Sequence, residues 1–268
     1  MSENYYEIIF EQIQPLHLGF KKHGVVSETK IFIPGQTIWG ALANSFIKKD
    51  IQEKDKNKIQ EIQKMFENIS CFFPIIKNGD NFENVLTPEY KDGELYLGDY
   101  SERKFRYYFT DTFVSTAVKT KNREAVEGSL HEIDYILPNK KDKIKEKLFW
   151  KGYLKINDET IKDFIKECES IYVGGEVKYG FGLIKCSSIN KIDCTKNIFF
   201  KEKEKEFITY NFIEYDNKIK FEGKLELIRE YNFYDKSGID IKYYIKPGSK
   251  IFTEPINYTL KKGKITIK

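Results

Sequence analysis

The chain has little of what metal centres and disulfide scaffolds are made from. Its 268 residues include four cysteines, Cys71, Cys168, Cys186 and Cys194, none of them in a CxxC pair, and three histidines, His17, His23 and His131. A zinc site needs clustered thiolates and imidazoles at short spacings, so no metal and no other cofactor is expected. There is no secretory leader, transmembrane run or lipidation motif, which leads to the expectation of a cytoplasmic protein with reduced thiols and no membrane partner. Internal repeats and low-complexity linkers are missing too. The net charge of +4 is too small an excess to establish a polyanionic partner, so local clustering must decide.

What is present describes a soluble globular chain of one or two domains: 40% apolar and 32% charged residues over a length that can bury a sizeable core. Aromatic residues make up 15%, with 18 Tyr and 21 Phe, a content suited to β-sheet and to base-stacking surfaces.

The most distinctive stretch is Gly174-Gly175-Glu176-Val177-Lys178-Tyr179-Gly180-Phe181-Gly182, with four glycines in nine residues. Glycines leave the main chain bare of Cβ, so an anionic group can approach it. Lys178 adds charge, and Tyr179 and Phe181 can stack on bases or anchor the loop. It is not a Walker loop, because Phe181 and Gly182 stand where Lys and Ser or Thr are required. A dinucleotide fingerprint fails as well, since Lys185 occupies the place of the third glycine. The plainer alternative is a Gly-rich hairpin or the approach to a strand.

Residues 5–13 read as a largely buried first strand. Lys21, Lys22 and His23 then form a basic cluster on a loop, either a solvated turn or a binding element. Thr37 can N-cap a helix over 38–49, in which Ile38, Leu42, Ser45 and Phe46 share a face. Gly40 and Ala41 there are small enough for another backbone to pack closely. A second helix is expected over 54–69. Residues 70–100, punctuated by Pro74, Gly79, Pro88, Gly93 and Gly98, read as an irregular insertion. Arg103, Lys104 and Arg106 lead into Tyr107-Tyr108-Phe109 and a strand through Phe113 and Val114. A polar hairpin tip over 116–128 follows, carrying Lys119, Lys121 and Arg123, and is either solvated or reaches for a partner. Strands are expected over 129–136 and 148–156. Asp158 caps a helix with Ile161, Phe164, Ile165, Cys168 and Ile171 on one face. The exit strand of the Gly-rich stretch covers 181–189. Collapsed, this is an α+β, ferredoxin-like (RRM-like) βαββαβ order with insertions. Beyond residue 190 the chain changes to strand-like runs over 198–214, 218–234 and 239–245. A turn at Pro247-Gly248-Ser249 and a closing hairpin around Lys262-Gly263 complete it. The expected division is a core over 1–189 and a β-rich C-terminal extension over 190–268.

Three stretches in series resemble the RAMP superfamily, the RNA-binding subunits of CRISPR effector complexes. They are Ile33-Pro34-Gly35-Gln36 continuing to Gly40-Ala41-Leu42, the tip at Thr116-Ala117 followed by Glu127-Gly128-Ser129-Leu130, and 174–182. The first is similar to the family's "IPG" helix start, with Gln36 replacing the usual small residue. The second is similar to its "thumb", and the third to its Gly-rich loop. The resemblance implies a ferredoxin-like core that holds guide RNA, with thumb and loop touching the RNA backbone and other effector subunits as partners. No small-molecule substrate is implied. Subunits of type III complexes that cut target RNA carry an aspartate between the first strand and the "IPG" motif, whereas 20–30 offers only Glu28. The extension with Pro247-Gly248-Ser249 looks more like the subunit that caps the 5′ end of the guide. The leading expectation is therefore a non-catalytic guide-RNA-binding subunit of a type III complex. The alternatives are a metal-independent guide-processing ribonuclease drawing on His17 or His23, a repeated backbone subunit, and a β-rich assembly protein that binds no nucleic acid.

Overall fold

The computed structural model describes residues 4–50, 55–193, 197–204, 206–231, 238–255 and 257–267. Up to residue 191 its elements are β1 (Tyr5–Gln12), β2 (Gly19–His23), β3 (Val26–Thr29), α1 (Gly35–Asp50), α2 (Lys56–Met65), β4 (Phe73–Asn78), β5 (Asn81–Val85), β6 (Pro88–Lys91), β7 (Glu94–Leu97), β8 (Tyr100–Ser101), α3 (Glu102–Phe109), β9 (Thr110–Ser115), β10 (His131–Ile136), β11 (Asn139–Lys140), β12 (Lys143–Lys155), α4 (Glu159–Glu167), β13 (Ile171–Tyr172) and β14 (Leu183–Lys191), with a single 3-10 turn at Val177–Tyr179. The chain is a mixed α+β protein.

Strand β1 buries six of its eight residues because it lies inside the central sheet, whose order is β13-β14-β1-β12-β4-β5. Its neighbours β12 and β14 both run antiparallel to it, and β4 runs antiparallel to β12. Helix α1 connects β1 to β4, and α4 connects β12 to β14. Ile8, Phe10 and Trp150 share one core with Ile38, Leu42, Ile161 and Phe164 of these helices, which therefore cover one face of the sheet. The alternation of strand residues sends Ile9, Ile75 and Phe149 to the other face, where they form a small cluster of their own. Buried Gln12 is satisfied: its amide donates to the Ile136 carbonyl at 2.8 Å and its Oε1 accepts from Trp150 Nε1 at 3.0 Å.

The inner strands of this sheet are not those the sequence points to. The strands flanking the hairpin tip, β9 and β10, belong to a separate four-stranded sheet of order β2-β3-β10-β9, and β4 and β12 take the central places. Residues 70–100 thus contain a sheet strand, hidden by Pro74. Pro74 stands in register with Trp150 and faces the β5 side at the very end of that pairing, its carbonyl accepting from the Leu86 N–H at 2.8 Å, a place where a missing N–H is tolerated. The remainder of the segment, β6-β7-β8, is a small sheet rather than irregular chain.

Residues 102–109 form helix α3, which takes in Tyr107-Tyr108-Phe109, where the expected strand would begin; the strand itself is β9, from Thr110. Ser101 caps it by accepting from the Lys104 N–H, Arg106 pairs with Glu102 one turn back at 2.8 Å, and Phe105 and Phe109 stack on the buried side at 4.9 Å. Helix α1 starts at Gly35, so Thr37 lies within it and its N–H donates to the Pro34 carbonyl. Asp55 caps the shorter α2. Asp158 caps α4 as expected, but that helix ends at Glu167, and Ile171 is a buried residue of β13.

The C-terminal part adds β15 (Phe200–Lys203), β16 (Glu206–Thr209), β17 (Phe212–Glu214), β18 (Phe221–Glu222), β19 (Leu225–Tyr231), β20 (Ile239–Ile245), β21 (Lys250–Ile251), β22 (Tyr258–Lys261) and β23 (Lys264–Ile267). They form sheets of order β15-β16-β21-β18 and β19-β20-β17-β23-β22. The expected run over 198–214 is broken into three strands. That over 218–234 becomes β18 and β19, its last residues lying outside the described ones, as does Cys194. Hairpin β22–β23 turns through Lys262 and Gly263, both at positive φ, and the tip docks against the start of α1.

Candidate nucleic-acid interface

Lys21, Lys22 and His23 lie on strand β2 rather than on a loop, and all three are exposed. Pairing with β3 makes β2 an edge of the four-stranded sheet, with His23 opposite Val26. Val26 pairs in turn with Glu132 of β10, and His131 with Ser115 of β9. The last residues of β2 and the base of the tip over 116–128 therefore lie at the same end of one sheet, on opposite edges. Every residue of that tip is exposed. Ser129 pins its base, its hydroxyl meeting Thr116 Oγ1 at 2.8 Å and accepting from the Ala117 N–H at 3.0 Å. Lys119 stands 3.7 Å from Glu124, while Lys121 and Arg123 have no ion pair among the described residues. His23 is 3.8 Å from Glu28 and Lys21 lies over the Phe20 ring at 5.0 Å.

The Gly-rich loop packs against this sheet. Phe181 is only 7% exposed, its ring 5.0 Å from Tyr135 and 6.4 Å from Phe113, which makes it the loop's anchor and leaves no free face for stacking. Tyr179 is 49% exposed and leans on Phe113 at 5.3 Å; Lys178 is exposed. The bare main chain expected from the glycines is largely occupied. The N–H groups of Gly175 and Gly182 donate to the carbonyls of His17 and Pro15, and those of Tyr179 and Gly180 close the 3-10 turn. Gly174, Gly180 and Gly182 have φ of 85°, 81° and 102° and are there for conformation. Gly175 is not in the left-handed region, and the nearest atom to an added Cβ is His17 Cδ2 at 3.5 Å.

Gly174 and Gly175 border a groove of about 530 Å³ whose other wall is the outer face of α1, with Gln36, Thr37, Gly40, Ala41 and Asn44; Lys30 stands at one end. No backbone packs on Gly40: a Cβ there would meet nothing within 4 Å. The close backbone approach expected at Gly40 and Ala41 occurs instead at Gly35, whose Cβ would fall 2.4 Å from the Gly263 Cα. Past Lys30, Pro34 and Gln36 the groove meets a second cavity of about 160 Å³, lined from the C-terminal sheets by Phe212, Ile228, Lys262 and Lys264. Lys30 pairs with Glu226, and Lys264 with Glu230. Lys262 lies over the Trp39 ring at 3.9 Å, and burial pushes its ammonium below the usual lysine range.

The sequence does not single out Lys30, Asn44, Lys262 or Lys264 as site residues, because only the fold brings α1 and the C-terminal hairpin to one groove. The signal that was available is the run from Ile33 to Leu42, whose glycines now mark both a packing contact and a groove wall. His17 is 7% exposed, with Nδ1 2.7 Å from the Asp134 carbonyl oxygen, so one ring nitrogen is committed to the sheet. Among the described residues no three His, Cys, Asp or Glu side chains lie together as a metal cage, and no helix is long and apolar enough to cross a membrane.

Fold and groove define an α+β protein with a glycine-walled, partly basic cleft and, at the end of its four-stranded sheet, an exposed basic hairpin tip. The RAMP superfamily profile matches residues 10–185, and the chain belongs to that superfamily. A chain of the type III-B Cmr-beta, solved by cryo-EM bound to cognate target RNA and AMPPnP, superposes with a TM-score of 0.59 at 14% identity, over 92% of this chain and 85% of that one. A chain from the same assembly bound to cognate target RNA superposes equally, with a TM-score of 0.59 at 14% identity, over 91% of this chain and 86% of that one. A search among curated proteins finds no match.

Proposed function

We propose that this chain is a non-catalytic RNA-binding subunit of a type III CRISPR effector ribonucleoprotein, and that it holds guide RNA in the groove between α1 and Gly174-Gly175. The observation that carries the reading is Gly40. A glycine inside a helix costs about 1 kcal/mol relative to alanine, and here neither φ nor any packing contact asks for one. A ligand lying on the helix does ask for it. Gly175, equally free of conformational need, faces the same space. The path β1-α1-β4-β12-α4-β14, with its strands ordered β14-β1-β12-β4, supports reading the centre as a ferredoxin-like core. Continuation of the groove toward Lys262 and Lys264 of the C-terminal sheets supports placing the guide's 5′ end there. Lys21, Lys22, His23, Lys119, Lys121, Arg123 and Lys178 supply charge for phosphates, and Tyr179 the exposed ring for a splayed base.

The test is Gly40→Leu. Leucine is a good helix former, so the melting temperature stays or rises, while affinity for single-stranded guide RNA falls at least tenfold at fixed salt. Unchanged affinity would remove the groove from the interface. Cutting of guide RNA by the pure protein, lost in His17→Ala or His23→Ala, would replace this reading with a processing ribonuclease.

A further inference from the structure

The β19–β20 ribbon carries a face out of keeping with the rest of the surface. Its register places Leu225 opposite Ile245, Leu227 opposite Tyr243 and Arg229 opposite Ile241. Opposed residues share a face and successive ones alternate. One face turns inward. Ile228 and Tyr244 are buried there, and Glu226, Glu230 and Lys242 are ion-paired to Lys30, Lys264 and Glu214. The other face holds Leu225, Leu227, Ile239, Ile241 and Tyr243, each 41–57% exposed, and Tyr215 at 40% extends it across the sheet. Its single charge among the described side chains is Arg229, which has no ion pair among them.

We infer that this face is the docking surface for a second protein, apolar at its centre and carrying a carboxylate that meets Arg229. A contiguous apolar patch of this kind marks an interaction site. The side chains speak against nucleic acid as the occupant: four of the six apolar ones are branched aliphatics, which do not stack on bases, and one arginine is too little for a phosphate backbone. Charge speaks against a second copy of the chain. A two-fold pairing would press two Arg229 side chains into an apolar contact with no carboxylate on either face. A heterologous partner with an acidic residue at that point satisfies both the apolar area and the cation.

The choice of probe rests on the function proposed above: the protein subunits encoded beside this chain, co-expressed with it and a guide RNA. The variant is Ile241→Glu with Tyr243→Glu, two exposed positions that line neither cavity. The wild-type chain is expected to co-purify with a neighbouring subunit, with slowed amide exchange over 239–245. The double variant should lose at least tenfold of that yield, at unchanged melting temperature and unchanged affinity of the free chain for guide RNA. Equal recovery of the variant, or no protection of the ribbon, overturns the inference. A wild-type homodimer in sedimentation that the variant abolishes overturns it in favour of self-association. A wild-type chain that binds guide RNA but no neighbour sinks the docking face alone. One that binds neither sinks the functional reading with it.

Discussion

Gly174 and Gly175 are adjacent, yet a methyl group means something different at each. On Gly174, at φ 85°, it would fall 2.3 Å from the His17 carbonyl oxygen, and on Gly182, at φ 102°, 2.9 Å from that of Val173. Gly180 shares the left-handed conformation but faces open space. Alanine at 174 or 182 therefore strains the backbone and collides with it, costing more than about 1 kcal/mol, or at least about 2–4 °C in melting temperature. Gly175→Ala meets neither obstacle. It should leave the melting temperature within a degree or so and lower RNA affinity by crowding the groove. Thermal melts and filter binding at fixed salt separate the two classes, and a Gly175→Ala protein that binds RNA normally would leave this loop as scaffold. The sequence showed that the glycines matter but not which of them face the cleft, because φ and the position of the His17 backbone are properties of the folded chain. Phe181 illustrates the same limit: its burial depends on Tyr135 and Phe113, which are remote in sequence.

Among the elements, those governed by local signals were legible and those governed by partners were not. The faces of α1 and α4, the cap at Asp158 and the hairpin around Gly263 follow from spacing and capping chemistry. Assigning β9 and β10 to the central sheet failed because alternation cannot say which sheet a strand joins. Helix α3 was missed because its aromatic run carries strand propensity, while its stability comes from Ser101, the Glu102–Arg106 pair and the docking of Phe105 and Phe109. The tip over 116–128 was legible as an element because nothing packs on it. Its charge is partly offset, since Lys119 stands near Glu124, an exposed pair of small net value. All three cations thus remain available to phosphates. Replacing Lys119, Lys121 and Arg123 together by alanine should flatten the slope of log K against log salt by about 2, taking roughly 0.7 per contact on a single strand. A filter-binding titration with an unchanged slope would take the tip out of the RNA interface.

At the scale of the whole molecule, the C-terminal strands are locked to the core through the tip of one hairpin. The N–H groups of Lys262 and Gly263 donate to the carbonyls of Glu67 and Ile69 at 2.6 and 2.7 Å, and the Gly263 carbonyl accepts from the Phe212 N–H at 3.0 Å. Asn211 Oδ1 accepts from the Cys71 N–H at 2.8 Å, and burial beneath this contact pushes the Cys71 thiol up to about 12. Phe212, Ile228 and Tyr244 also join the same apolar core as Phe10 and Trp150. A fragment over 1–189 would expose the surface that these residues cover, so it should aggregate or remain unfolded, and the intact chain should melt as one unit. Gly35→Ala and Gly263→Ala, which drive the two backbones together, should each lower the melting temperature by more than about 5 °C. The two tryptophans provide the probe. Trp39 sits under Lys262 and reports the hairpin, and Trp150 is fully buried and reports the sheet. In single-tryptophan variants, Trp39→Phe and Trp150→Phe, each fluorescence melt should coincide with the far-UV transition of the same protein. If in the Trp150→Phe protein the Trp39 signal changes well before the far-UV transition, the extension unfolds as a separate domain and the groove loses its C-terminal wall while the core still stands.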